Sequence, residues 1–261
     1  MKKKLVGTSW KMNKTLSEAL AFCHVLKSGL SKEICESIQP FVIPPFTTVR
    51  DVSLFINENQ INCLTGVQNM HFADQGAYTG EISPLMVKDT GAVLVELGHS
   101  ERRHYFAETD LMVNKKVHAA INHGLKPLVC VGDEAQEKEW GVSVETVVKQ
   151  MKAAIAGLSA AQVENVIIAY EPVWAIGEHG IPATTEEAEV IHAALRQALI
   201  TCYGEQVANK ISILYGGSVN LQNSVELITQ PNIDGLFIGR SAWSPEGYCE
   251  ILSTISRIIR D

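Results

Sequence analysis

The chain has 261 residues, 46% of them hydrophobic and 20% charged, with a formal net charge of −7. This composition excludes a disordered, collagen-like or coiled-coil protein, and the length fits one large α/β barrel or two modest domains. The negative charge argues against nucleic acid or an anionic membrane as partner, so any bound phosphate requires local donors.

No apolar run approaches the ~18 residues that cross a bilayer, and the apolar run after the basic Met1–Lys4 breaks at Thr8. We therefore expect neither a membrane segment nor a signal peptide. The cysteines are dispersed without a C-x-x-C pair, which predicts reduced thiols in a cytoplasmic protein and neither disulfides nor a zinc site. They are Cys23, Cys35, Cys63, Cys130, Cys202 and Cys249.

Short β-rich runs recur along the chain, and most are continuously apolar, which is typical of parallel strands covered on both faces. The predicted strands are Lys4–Gly7, Phe41–Ile43, Ile61–Val67, Ala92–Leu97, Pro127–Val131, Val166–Tyr170, Ile211–Leu214 and Gly235–Ile238. Amphipathic stretches between them predict helices. Examples are Leu16–Leu26, Leu111–His123, Val144–Ile155 and Glu186–Cys202, the last beginning after Thr184 and Thr185.

Eight strand–helix units in a chain of this length predict a single α/β domain over residues 1–261, a (β/α)₈ barrel with parallel strands. The alternative is a doubly wound open sheet. Such a sheet normally has a glycine-rich dinucleotide turn after its first strand, whereas this strand runs into Thr8–Asn13.

Active residues of such barrels follow the C-terminal ends of the strands. Lys11, His99 and Glu171 follow the first, fourth and sixth strands, and glycine-rich segments at 216–218 and 239–241 follow the last two. Consecutive backbone N–H groups in glycine loops bind anions. Together these residues predict proton transfer on a phosphorylated substrate.

Each of these residues also has a structural interpretation. Lys11 is either an anion holder or a solvated surface lysine, and Glu171 is either a general base or part of a structural ion pair. His99 is either a half-buried structural histidine or a functional group, and we expect Ser100 to cap a helix whose N-terminus favours a neutral imidazole. The segment Trp174–Gly180 is either a lid over the substrate or an ordinary loop.

Several of these segments resemble the triosephosphate isomerase family, and the resemblance covers the whole chain in order. They are Trp10–Asn13, Leu97–Arg103, Ala169–Gly177, Tyr215–Val219 and Asp234–Gly239. The resemblance implies that Glu171 is the base, His99 the electrophile and Lys11 the holder of the oxyanion, with Glu101 beside the lysine. It also implies phosphate binding by backbone N–H groups of Gly177, Gly217, Ser218 and Gly239.

In the family, the long loop after strand three reaches into the neighbouring subunit. The resemblance therefore implies a homodimer formed through the loop Gln75–Glu81. We expect no metal ion and no cofactor.

The chain departs from the common family pattern at three places. Ser9 stands where asparagine is usual, Arg240 where a second glycine is usual, and the lid segment 178–183 is longer and lacks the usual lysine. These departures resemble the erythrulose-1-phosphate isomerases, a branch of the family that acts on four-carbon substrates. Ser9 frees volume beside the reacting carbons, and Arg240 adds a charge near the phosphate.

We therefore predict an isomerase of a small sugar phosphate, with L-erythrulose 1-phosphate favoured as its substrate. True triosephosphate isomerase activity is the alternative, since one additional carbon is weakly discriminated by volume alone. Two other classes stay open: a lyase that forms a Schiff base on Lys11, and a non-catalytic protein that binds phosphometabolites.

Overall fold

The computed structural model describes residues 2–176 and 182–260. Its strands are β1 (Lys4–Ser9), β2 (Ile38–Ile43), β3 (Leu64–Val67), β4 (Leu94–Leu97), β5 (Lys126–Val131), β6 (Ile167–Tyr170), β7 (Ser212–Tyr215) and β8 (Gly235–Ile238). They are parallel and close into a barrel in chain order, with β1 paired to both β2 and β8. The predicted (β/α)₈ barrel is confirmed, and every predicted strand is present.

Helices surround the barrel. They are α1 (Leu16–Gly29), α2 (Lys32–Ser37), α3 (Phe46–Glu58), α4 (Pro84–Asp89), α5 (Ser100–Phe106), α6 (Asp110–Asn122), α7 (Ala135–Glu139), α8 (Ser143–Ile155), α9 (Ala160–Val163), α10 (Thr185–Tyr203), α11 (Glu205–Ala208), α12 (Ser224–Ile228) and α13 (Pro245–Arg260). Two short 3₁₀ helices cover Val173–Ala175 and Arg240–Ala242. No helix within the described ranges is both long and apolar enough to cross a membrane.

The start of α10 shows how local sequence fixes a helix boundary. The backbone N–H of Glu187 donates to Thr184 Oγ1 at 3.1 Å, and Glu187 Oε2 accepts from the N–H of Thr184 at 2.8 Å. This reciprocal capping satisfies two donors that the first turn would otherwise leave unpaired. The start predicted at this position is confirmed.

The alternation of side chains along each strand separates two apolar layers. In β5, Leu128 and Cys130 pack inside the barrel, whereas Val129 and Val131 pack outward against the helices. All six cysteine thiols are free, and that of Cys130 is buried. Because both faces of each strand are covered, the strands read as continuous apolar runs.

Candidate active site

The same alternation directs polar side chains into the C-terminal mouth of the barrel. Leu94 in β4 and Ala169 in β6 pack inside the barrel. Residues two positions further along a strand face the same side, so Glu96 and Glu171 also point inward at this end. Ser9 ends β1 at the same level and is buried.

One cavity of about 320 Å³ opens at this mouth. Its walls include nine of the ten residues that the sequence singles out for catalysis or binding: Ser9, Lys11, His99, Glu101, Glu171, Gly217, Ser218, Gly239 and Arg240. The tenth, Gly177, lies outside the described residues, as do residues 178–181, which include the rest of the predicted lid. Residues that follow five strands, β1, β4, β6, β7 and β8, therefore meet at a single site.

His99 is fixed in one tautomer by the helix that it begins. The prediction that Ser100 caps α5 is wrong, because His99 is the N-cap and its Nδ1 accepts the N–H of Glu101 at 3.1 Å. N-cap acceptors are usually the short side chains of Ser, Thr, Asp or Asn. Here the His99 imidazole accepts the N–H instead, because the turn at Gly98, whose φ is +72°, directs the chain into the helix. A neutral His99 therefore carries its proton on Nε2, which lies 3.4 Å from Glu171 Oε1.

Glu171 is a buried carboxyl group with spare hydrogen-bonding capacity. Its backbone N–H donates to the carbonyl of Val131 at 2.8 Å, which fixes the strand end. Its Oε2 is buried and makes no hydrogen bond to any residue in the ranges 2–176 and 182–260. A Cβ on Gly216 would lie 2.9 Å from Glu171 Cγ, so glycine at 216 leaves room for this side chain. An unpaired oxygen of this kind is available to a substrate proton.

Lys11 is held as a charged group. Its Nζ lies 2.7 Å from Glu101 Oε1, and its backbone has φ +53°, a left-handed conformation that costs energy for a non-glycine residue. Gln68 Nε2 donates to the Lys11 carbonyl at 2.8 Å and supports this turn. Burial lowers the pKa of Lys11, but the hydrogen bond and charge of Glu101, with the charges of Glu171 and Glu96, raise it further than burial lowers it.

Buried ion pairs hold the helix that carries Glu101. Arg102 Nε donates to Glu108 Oε2 at 2.7 Å, and Lys116 pairs with the other oxygen of this carboxylate. Arg103 donates to the carbonyl of Gly98 at 2.7 Å. Breaking a buried pair of this kind leaves an uncompensated charge, so the network fixes the position of α5.

The opposite wall of the cavity consists of the two glycine loops. The N–H of Gly216 donates to the carbonyl of Tyr170 at 2.7 Å, and Asn223 Nδ2 donates to the carbonyl of Ser218 at 2.9 Å. Gly239 begins the short 3₁₀ helix whose first residue, Arg240, has an exposed side chain on the cavity wall. The wall combines fixed backbone with one cation and suits an anion.

The described part of the predicted lid is anchored to the barrel. Trp174 Nε1 donates to Asp133 Oδ2 at 3.1 Å, and Tyr170 Oη donates to the other oxygen of this carboxylate at 2.9 Å. The ammonium group of Lys138 lies 3.3 Å from the centre of the Trp174 ring. This side of the segment therefore has a fixed starting point on β5 and β6.

Glu96 is a site residue that the sequence reasoning missed. Its side chain is buried, and its Oε2 accepts a hydrogen bond from Ser9 Oγ at 2.8 Å. Burial, assisted by the charge of Glu171, raises the pKa of Glu96 to about 7 against the influence of His99, Ser9 and Lys11. The signal in the sequence was a carboxyl group in an otherwise apolar strand, two residues beyond an inward-facing leucine.

Glu96, His99 and Glu171 place one potential ligand atom each within 4.8 Å of one another, which is close enough to hold a metal ion. However, the hydrogen bond to Nδ1 leaves the proton of a neutral His99 on Nε2, where it would block ligation. The cluster therefore suits a hydrogen-bond donor beside a base better than a ligand set.

Comparison with known proteins identifies the family. The triosephosphate isomerase family model matches residues 4–255. An L-erythrulose-1-phosphate isomerase of Brucella abortus is 51% identical over 255 residues, which cover 97% of this chain and 96% of the relative. The protein of that name from Mesorhizobium japonicum is 51% identical over 256 residues, covering 97% and 98%. That from Rhizobium rhizogenes is 49% identical over 257 residues, covering 98% and 95%. The barrel, the strand-end residues and these matches together show that the chain belongs to the triosephosphate isomerase family and is an isomerase.

Proposed function

We propose that this enzyme interconverts L-erythrulose 1-phosphate and D-erythrulose 4-phosphate. The observation that carries the proposal is the pairing of a buried carboxyl group, Glu171, with His99 Nε2 at 3.4 Å, in a cavity that also contains two glycine loops. The four-carbon substrate is supported by the names of the relatives and by Ser9, which leaves volume beside this pair.

The reaction moves one proton between adjacent carbons. The Glu171 carboxylate takes the proton from C3, the electron pair of that C–H bond forms the C2–C3 double bond, and the C2 carbonyl becomes an enediol oxygen. Glu171 then returns the proton to C2, and the hydroxyl proton of O3 is lost as the new carbonyl forms at C3 while O2 gains one. The skeleton keeps its phosphate and its terminal hydroxymethyl group.

Two groups stabilise the charge that develops on the oxygens. The Nε2–H of His99 and the ammonium of Lys11 line the same cavity as Glu171, so both are available to an oxyanion. Glu101 keeps Lys11 charged and oriented through their 2.7 Å contact. A fixed donor and a fixed cation need little reorganisation as the charge forms.

The phosphate occupies the wall of glycine loops in this proposal. Backbone N–H groups of Gly217, Ser218 and Gly239 hold it, with Gly177 of the lid as a further donor and the Arg240 guanidinium as a cation. The proposal includes neither a metal ion nor a cofactor. A lyase that forms a Schiff base on Lys11 is disfavoured, because such a lysine needs a lowered pKa whereas that of Lys11 is raised.

Paired assays on one purified sample test the substrate. We expect kcat/KM for L-erythrulose 1-phosphate to exceed that for glyceraldehyde 3-phosphate by at least about 10²-fold, since a hydrogen-bonded hydroxyl group discriminates far better than volume. A preference for the triose phosphate would instead identify a triosephosphate isomerase. Absence of turnover with both, together with binding of both, would favour a non-catalytic binding protein.

We also propose that the enzyme works as a cytoplasmic homodimer built from one domain per chain, residues 1–261. The loop Gln75–Glu81 is exposed along its whole length, and Tyr78 packs on His71 with ring centroids 4.1 Å apart. A second cavity of about 700 Å³ lies beside the active site, and its walls include exposed apolar side chains, among them Met12, which is 96% exposed. An exposed loop and a cavity with exposed apolar side chains on its walls favour an exchange of loops about a two-fold axis.

Analytical ultracentrifugation tests the assembly. We expect a species of twice the 28.6 kDa chain mass for the wild type and a shift toward the monomer for Tyr78→Asp. The matched control is Ile258→Asp, which places the same charge at an exposed apolar position on α13. A wild-type monomer at micromolar concentration would contradict the proposal.

A further inference from the structure

Among the described residues, the proposed reaction leaves one buried acid on the walls of the two adjoining cavities without a task. Glu171 is the base, and Glu101 pairs with Lys11, yet Glu96 occupies the inward side of β4 with only 2% of its surface exposed. Burying a carboxyl group costs free energy that an apolar side chain at the same position would avoid. We therefore expect this carboxyl group to form a hydrogen bond with a group outside the protein, such as a polar group of the substrate.

Ser9 holds this carboxyl group in one orientation. Its hydroxyl donates to Glu96 Oε2 at 2.8 Å, and its carbonyl accepts a hydrogen bond from Trp243 Nε1 at 2.9 Å, so both partners are fixed. The bond uses one oxygen of the carboxyl group only. The other, Oε1, lies 3.9 Å from His99 Nε2, beyond hydrogen-bond distance, and so retains acceptor capacity.

The shape of the site places Glu96 at the end opposite the phosphate. The cavity with the glycine loops and the larger cavity beside it share four wall residues: Ser9, Lys11, His99 and Glu101. Glu96 lines only the larger cavity. A linear substrate with its phosphate on the glycine loops and its reacting carbons at His99 therefore extends its far end toward Ser9 and Glu96.

A four-carbon ketose 1-phosphate differs from a three-carbon one at that end. It bears an additional hydroxymethyl group on the carbon that loses the proton. We propose that Glu96, held by Ser9, accepts a hydrogen bond from the terminal hydroxyl group and so selects a four-carbon over a three-carbon ketose phosphate. The inference rests on the function proposed above and names the group that makes its substrate choice.

The chemistry of the pair fits this task. A carboxyl group accepts a hydrogen bond from a hydroxyl group whether or not it is ionised, so recognition survives titration of Glu96 near neutral pH. A three-carbon substrate would leave the buried oxygen without a partner. An unpaired buried polar group of this kind is what allows an enzyme to reject an analogue that lacks one hydroxyl.

A comparison of two substrates on two enzymes isolates this contact. We would measure kcat/KM for L-erythrulose 1-phosphate and for its 4-deoxy analogue, which has the same carbon chain without the terminal hydroxyl. For the wild type we expect a preference of at least about 10²-fold for the parent compound. In Glu96→Leu, which removes both acceptor oxygens at nearly constant volume, we expect the preference to fall below about fivefold.

Two further variants separate recognition from a structural role. Glu96→Gln keeps an acceptor oxygen and should retain most of the preference. Asp133→Asn removes another buried carboxyl group, on the lid side, and should change kcat/KM for both compounds by the same factor. Because each preference is a ratio within one enzyme, partial loss of folded protein cancels.

The outcomes also separate this inference from the proposed function. If the wild type prefers the parent compound and Glu96→Leu keeps that preference, the role of Glu96 is overturned while the four-carbon substrate stands. If the wild type turns over glyceraldehyde 3-phosphate faster than either four-carbon compound, the proposed substrate is wrong, and the inference is overturned with it.

Discussion

The two ends of the cavity are built in different ways. At the phosphate end, the wall is backbone from the glycine loops after β7 and β8, and its one cation, Arg240, is exposed. At the distal end, the wall is side chain, and Ser9, Glu96 and His99 are all buried and in contact. One end is a generic anion site, whereas the other is a specific arrangement of donors and acceptors.

The two ends therefore contribute differently to substrate affinity and to substrate selectivity. A phosphate group offers the same oxygens on every sugar phosphate, so the phosphate end contributes similarly to the binding of all of them. The buried groups at the distal end must each find a partner, and this requirement distinguishes one carbon skeleton from another. Changes at the two ends should therefore have different kinetic signatures.

The largest effect is expected from the base that lies between the two ends. Glu171→Gln removes the proton acceptor without changing the volume, so kcat should fall about 10³-fold for every substrate while equilibrium binding changes little. Stopped assays and calorimetry check the two parts. Glu145→Gln, which neutralises an exposed carboxylate on α8, is the control. Retention of a tenth of the activity by Glu171→Gln would assign the base elsewhere.

A smaller effect concerns the distal end and the pH dependence of stability. Glu96 has its pKa raised from 4.5 to about 7, so its native state keeps a proton that the unfolded state loses. Its stabilising contribution is complete below pH 4.5 and is lost as the pH rises to about 7. The loss amounts to about 3 kcal/mol at 1.4 kcal/mol per pKa unit.

Glu96→Gln abolishes this titration. We would measure the free energy of unfolding in urea for both proteins. The difference between Glu96→Gln and the wild type should shift in favour of the variant by up to about 3 kcal/mol when the pH is raised from 5 to 8. Asp51→Asn, at an exposed position on α3, serves as the control and should follow the wild type at both pH values. Parallel pH profiles for Glu96→Gln and the wild type would mean that burial does not raise this pKa.

The smallest effect is expected at the phosphate end. Arg240→Ala removes an exposed cation, whose interaction is weakened by solvent, so KM should rise about fivefold with kcat nearly unchanged. The rise should be equal for three-carbon and four-carbon phosphates and should shrink at high salt. Arg257→Ala, which removes an exposed arginine on α13, controls for net charge. A change in the ratio between substrates would show that the two ends are not independent.

The barrel and most residues of the candidate site could be predicted from the amino-acid sequence alone. Continuous apolar runs marked most of the strands, because a strand that is covered on both faces needs apolar side chains on both. Short segments such as Leu97–Arg103 carried the family resemblance, and the parallel direction of the predicted strands brings the polar residues that follow them to one end of the barrel. These features depend on residues that are close together in the sequence, so local sequence patterns predicted them.

Contacts between residues far apart in the chain could not be predicted, because they depend on how the barrel closes. Ser9 and Glu96 lie 87 residues apart, and their hydrogen bond exists because β1 and β4 bring their C-terminal ends to one mouth when the barrel closes. The N-cap of α5 is His99 and not the predicted Ser100, because the backbone geometry at Gly98 lets the imidazole ring reach the N–H of Glu101. The pKa of Glu96 depends on its burial and on the charges of all its neighbours in space, so a local sequence pattern does not predict it.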